Sequence, residues 1–312
     1  MRRRCLLGIL LMFCALGTGP RAQSKEEKHV FVTVLDKDGT PVAGLAPEHF
    51  AVRESGRDRT VLKVEPLRTP MHVAVLVDTS VSSGGLDETF RSAVLGFVER
   101  LAVSNNVAVY SFGDRAQRVA DFSRDAAQLR VATTGMFGWA HQRSLLIDAI
   151  DLALRDFERI EAPRPVMIAI SSESPEASRQ TAGGVIKRLI AQSIGFHAIS
   201  LAPAARSIQA TGVSGSIPAK SERLGGMAAA GEGDRERTRA LEQGTSVTGG
   251  GRQRVTNVLA LAPALARVAN ELANSYQVTF ARPGSARMQE LQVGILVEGV
   301  TLRATPAAFG TR

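Results

Sequence analysis

The sequence predicts an α/β protein: a doubly wound, mainly parallel sheet flanked by helices, with a small all-β unit built from both ends of the chain. Three observations predict it. Short stretches such as 72–77 and 165–170 are apolar without interruption, the pattern of strands buried on both faces. Longer stretches between them carry apolar residues at helical spacing, and strand–helix alternation implies parallel βαβ units. Near the N-terminal end, Val30, Val32 and Val34 alternate as one buried face of a strand.

Composition is compatible with this class. The 312 residues are 44% hydrophobic, 22% charged and 5% aromatic, which excludes collagen-like, wholly disordered and multi-span membrane proteins. A chain of this length buries a core without needing a disulfide or metal to fold.

Residues 1–22 read as a secretory signal peptide. Arg2, Arg3 and Arg4 are its basic start, 6–16 its apolar run, and Gly17, Thr18, Gly19 and Ala22 its small-residue end. The apolar run is shorter than the roughly 20 residues of a spanning helix. Export to the periplasm, the cell surface or the medium is therefore expected. Both cysteines, Cys5 and Cys14, lie in this segment, so an exported chain would have no thiolate chemistry. Losing Arg2, Arg3, Arg4 and Arg21 leaves 34 basic against 30 acidic residues, and the balance falls from +8 to +4. No dense Lys/Arg block interleaved with aromatics supports nucleic-acid binding.

The elements follow in order. After a polar linker at 24–28, an N-terminal β unit is expected over 29–68. Its first strand ends at a 36–41 turn with Gly39, and strands at 50–54 and 60–64 flank a Ser55-Gly56 turn. The α/β domain is expected over 70–202 and 247–281. It has strands at 72–77, 106–112, 165–170 and 195–201, with an edge strand at 117–122. Helices are expected at 86–103, 144–160, 182–193 and 258–273. Residues 203–246, rich in Ala, Gly, Ser, Arg and Glu, read as a flexible insertion. Short strands at 276–281, 291–297 and 300–304 are placed to pair with the N-terminal β unit, and 282–312 form the C-terminal segment.

The chemistry centres on Asp78-Thr79-Ser80-Val81-Ser82, at the carboxyl end of the first buried strand. In open α/β sheets ligands bind at that edge. One acid and two hydroxyls at spacing two are hard oxygen donors suited to Mg²⁺ or Mn²⁺. The alternative is structural: an Asp with nearby serines also caps a helix or orders a loop.

Here the sequence resembles the von Willebrand factor type A domain. Asp78, Ser80 and Ser82 match the Asp-x-Ser-x-Ser of that family's metal-ion-dependent adhesion site. The resemblance implies two further loops. Ser144, in Arg143-Ser144-Leu145-Leu146-Ile147-Asp148, takes the position of a Thr. In Ser171-Ser172-Glu173-Ser174, Ser172 stands where the family has an Asp, and Glu173 follows one residue late with a longer reach. Residues 34–45, 50–54 and 276–280 resemble a secreted bacterial branch of the family.

The resemblance implies a metal set of Asp78, Ser80, Ser82, Ser144 and Glu173 around Mg²⁺ or Mn²⁺. It also implies a non-enzymatic, adhesion-type module whose protein ligand offers an exposed acidic group. The alternative is a metal-free structural or assembly module with a degenerate site, since Ser172 removes one negative charge.

Other candidates fail on chemistry. The five histidines lack metal-binding spacing, and His72 and His197 fall in apolar strands, where satisfied ring nitrogens are expected. Gly212-Val213-Ser214-Gly215-Ser216 lacks the last glycine of a nucleophile elbow. Gly249, Gly250 and Gly251 are not followed by the Lys-Ser/Thr of a phosphate loop.

Overall fold

A computed structural model describes residues 25–80, 88–137, 143–172, 174–202, 220–283 and 291–305. Residues 1–22, Ser82, His141, Glu173 and 203–219 lie outside these.

The centre is a six-stranded sheet in the order β10-β9-β8-β5-β6-β7. It is built from β5 (His72–Asp78), β6 (Asn106–Phe112), β7 (Ala116–Ser123), β8 (Pro165–Ser172), β9 (Gly195–Leu201) and β10 (Arg252–Val255). Every pair is parallel except β6–β7, an antiparallel edge. The expected doubly wound sheet is thus present, with β10 as an edge strand that sequence pattern did not reveal.

Alternation sorts each buried strand onto two faces. Val73, Val75 and Val77 of β5 pack with α1 (Glu88–Ala102) and α6 (Leu261–Ala273). Ala74 and Leu76 pack with α3 (Leu146–Arg159) and α4 (Ala182–Ala191) on the other side. A short helix, α2 (Ala126–Gly135), was not expected. Asp125 caps it by accepting from the Ala127 and Gln128 amides.

The stretch expected as a flexible insertion differs. From Lys220 to Val247 the chain is a helix, α5, crossing from β9 to β10. Over its described part, from Gly231 on, the buried residues are Arg237, Ala240, Leu241, Gly244, Thr245 and, just beyond its end, Thr248. That is the 3–4 spacing of one helical face, but among these residues only Leu241 is strongly apolar, so hydropathy hides the period.

The β unit does combine both ends of the chain, as two small sheets. One has the order β13-β1-β11-β4, from β1 (Lys25–Leu35), β4 (Val61–Pro66), β11 (Tyr276–Pro283) and β13 (Thr301–Thr305). The other joins β2 (Phe50–Glu54) to β3 (Arg57–Arg59) and β12 (Leu291–Ile295). They share one core, where Val30, Val32 and Val278 meet Phe50 and Val52.

Two expectations are corrected here. The polar linker at 24–28 is mostly strand, because Lys25 to Lys28 pair in register with 280–283 and backbone pairing does not require apolar side chains. The Ser55-Gly56 turn, with both residues at positive φ (52° and 73°), pairs β2 with 57–59 rather than 60–64. The 61–66 strand crosses instead to the other sheet, on β11.

Candidate functional site

Chain order sets the place of the site. From β5 the chain moves outward to β6 and β7, then returns to β8 on the opposite side of β5. Two neighbouring parallel strands whose connections leave in opposite directions open a crevice at their carboxyl ends. Asp78 ends β5 and Ser172 ends β8, so both stand at this switch point.

The carboxylate of Asp78 is fully buried. Its Oδ1 accepts the Ser80 amide at 2.8 Å. Its Oδ2 accepts the Ser172 amide at 2.9 Å and the Ser172 hydroxyl at 2.6 Å. Ser174 Oγ lies 2.6 Å from Ser172 Oγ, and Ser80 Oγ bonds Ser174 and lies 3.3 Å from Ser172. Four buried side chains thus make one oxygen cluster. Burial pushes the Asp78 carboxyl up from the usual range, and the bonds from Ser172 and Ser80 pull it partly back.

Ser144 is placed differently. Its backbone pairs with the loop after β8: its amide donates to Pro175 O and its carbonyl accepts from the Ala177 amide, both at 2.9 Å. Its hydroxyl faces Glu176 Oε2 at 3.5 Å. Ser144 does not cap α3, whose N-cap is Leu145. The first turn of that helix is held from outside, where the Asp148 amide donates to Ser178 Oγ at 3.0 Å.

Glu176 was missed. Nothing in the sequence marks it, because it lies four residues beyond the position where an acid was sought. The Ser144–Glu176 backbone bridge buries it, and burial pushes its carboxyl up to about 7. The Ser178 amide on Oε1 at 3.1 Å and the charge of Arg237 oppose that shift.

Helix α5 closes this loop from outside. A Cβ at Gly233 would fall on the carbonyl oxygen of Glu176, so only glycine allows the helix this close. One turn on, the buried Arg237 donates to the carbonyl of Ser174 and pairs with Asp234 at 3.3 Å. Glu236 accepts the Ala182 amide at 2.7 Å, tying α5 to the start of α4.

Of the expected set, the structure places Asp78 and Ser80 together and sets Ser144 beside Glu176. Ser82 and Glu173 lie outside the described residues. Ser174, Glu176 and Arg237 are additions. Among the described residues there is no group of three acidic, histidine or cysteine side chains that holds a metal. The donor chemistry does fit a hard cation in kind. Asp78 is a buried carboxylate ringed by hydroxyl oxygens, and its own hydrogen bonds come from serine hydroxyls and amides. It does not match in charge, since one carboxylate stands where a divalent ion calls for more.

Expected satisfaction of His72 is only partial: Nε2 lies 3.4 Å from Asn106 Nδ2, while Nδ1 is buried without a partner. His197 Nδ1 accepts the Gly251 amide at 3.1 Å. No helix of the described residues is long and apolar enough to cross a membrane.

No protein-family model and no curated protein matches the chain. Solved structures do resemble it. BatB from Bacteroides thetaiotaomicron is 16% identical, covering 65% of this chain and 98% of that one, with a TM-score of 0.42. The VWA domain of SpRpn10 is 12% identical over 63% of this chain and 94% of that one, at 0.40. Proximal thread matrix protein 1 of the mussel byssus, with a zinc-occupied MIDAS motif, is 13% identical over 70% and 49%, at 0.45.

Proposed function

We propose that this chain is an exported, non-enzymatic protein-interaction module that binds its partner at the carboxyl-end loops of the central sheet. In this reading Asp78, Ser80, Ser82 and Ser144, with Glu173, hold Mg²⁺ or Mn²⁺. An acidic side chain of the partner completes the shell. The observation that carries it is the Asp78 cluster at the switch point: a buried carboxylate whose charge is costly unless a cation joins it. When bound, the ion supplies a Lewis-acidic vacancy for a carboxylate. The chain's own part is to hold Asp78 rigid through the Ser80 and Ser172 amides.

Titration calorimetry of the full chain with Mg²⁺ and Mn²⁺ tests the ion, and Asp78→Ala should abolish the heat. No heat with either ion removes the metal from the reading. Partner binding that is equal in Mg²⁺ and in chelator does the same.

A second reading is a metal-free assembly module. Ser172 in place of an acid and Ser144 turned to Glu176 favour it. Ser172→Asp separates the two. A large gain in Mg²⁺ affinity means the native site is degenerate, and a small one means it already binds.

A further inference from the structure

Along α3 and the loops that meet its first turns runs a groove whose charge the metal reading does not use. Arg115, Arg143, Arg155 and Arg179 are all exposed and line one hollow of about 520 Å³. They come from the β6–β7 hairpin, the loop before α3, α3 itself and the loop after β8. Arg143 and Arg179 also line an adjoining hollow of about 500 Å³ that reaches Glu176. The two hollows are neighbours that share Arg143, Ala177, Arg179 and Gln180 in their walls.

The acids within the groove are already engaged. Asp148 accepts the amides of Arg179 and Gln180, each at 3.0 Å, and Asp114 accepts the Arg143 amide at 3.3 Å. Arg155 pairs with Asp151. Among the described residues, the guanidiniums of Arg115, Arg143 and Arg179 pair with no carboxylate. Leu145 and Leu152 give the hollow an apolar floor.

We propose that this groove is a docking site for an acidic, partly apolar segment of the partner protein. The inference rests on the reading of the loop face as a protein-binding surface and adds the partner's chemistry. Planar guanidinium forks match discrete carboxylates. Asp114 and Asp148 inside the groove, and Glu232 and Glu236 on the wall of the adjoining hollow, repel a ligand charged at every unit. A segment with carboxylates spaced between apolar residues meets the arginines and the leucine floor without meeting those acids.

The test is fluorescence anisotropy of the full chain, in chelator, with a labelled peptide repeating Glu-Leu-Gly. Saturable binding that weakens with salt is expected. Arg115→Ala, Arg143→Ala and Arg179→Ala should each weaken it about threefold, and the triple variant about thirtyfold. Arg130→Ala, on α2, serves as the surface-charge control and should bind as the parent does. No binding at low salt, or a triple variant that binds like the parent, overturns the proposal. Inorganic polyphosphate or anionic phosphatidylglycerol vesicles binding more tightly than the peptide, and losing it in the triple variant, overturns the acidic-segment assignment. Because chelator is present throughout, failure here leaves the Mg²⁺ titration standing, and failure of that titration leaves the groove standing.

Discussion

The guanidinium of Arg237 donates to the backbone carbonyl of Ser174, linking a helix after β9 to the oxygen cluster at the end of β8. Arg237 is only 8% exposed, so it acts as an internal clamp. Arg237→Leu keeps much of the packing but leaves that carbonyl without its donor. A loss of about 1.5–3 kcal/mol is expected, the usual value of a charged hydrogen bond. Urea denaturation of the variant checks it.

Gly233 and Gly231 lie two residues apart on α5 and should respond with opposite sign. Gly231→Ala meets nothing within 4 Å and should stabilise by about 0.5–1 kcal/mol through helix propensity. Gly233→Ala puts a methyl onto the Glu176 carbonyl, and overpacking of about 1–3 kcal/mol should outweigh that gain. Thermal unfolding midpoints that move the same way in both variants would refute the close approach.

Asp78 should matter to folding as well as to any ion. Asp78→Ala removes the acceptor of the buried Ser80 and Ser172 amides, at about 1–3 kcal/mol per stranded donor. Asp78→Asn keeps an acceptor and should cost less, while still losing Mg²⁺ heat. Calorimetric titration together with urea midpoints separates the two effects.

His197 sets a pH dependence away from the site. Burial lowers its pKa below the ordinary 6.5. Glu271 raises it and Arg303 lowers it, both less strongly. The fold holds the ring neutral, with Nδ1 accepting from Gly251. An unfolded chain therefore binds this proton more readily, and the His197 contribution to stability rises with pH across the window below 6.5. The contribution is present above 6.5 and lost as pH falls beneath it. Burial lowers His72 in the same direction. His197→Gln should remove the rise that His197 contributes between about pH 5 and 7. His72 and His29 add to that rise, while Glu176, raised to about 7, opposes it because the fold holds its proton through the same window. An unchanged slope in urea titrations would rule His197 out as its source.

Much of the fold was legible because burial on both faces forces a visible pattern. Residues 72–77, 165–170 and 195–201 have no polar face to show, and each is a central strand. Asp78 was legible for the same reason, as the first charge after such a run. Helix α5 was not, since Gly233, Arg237, Gly244 and Thr245 meet the protein through close approach and hydrogen bonds rather than apolar area. Gly244 is an example: a Cβ there would sit 3.0 Å from the ring of Phe196.

By itself, then, the sequence determined which stretches must leave water and where the first acid follows a buried strand, because hydrophobic periodicity is a local property of the chain. Tertiary structure alone decided that Ser172 and Ser174 close on Asp78, that Ser144 faces Glu176 and that arginines from three loops and a helix share one groove. Those neighbours are joined by the return of β8 to the far side of β5. No local pattern encodes a contact between residues 94 positions apart, such as Asp78 and Ser172.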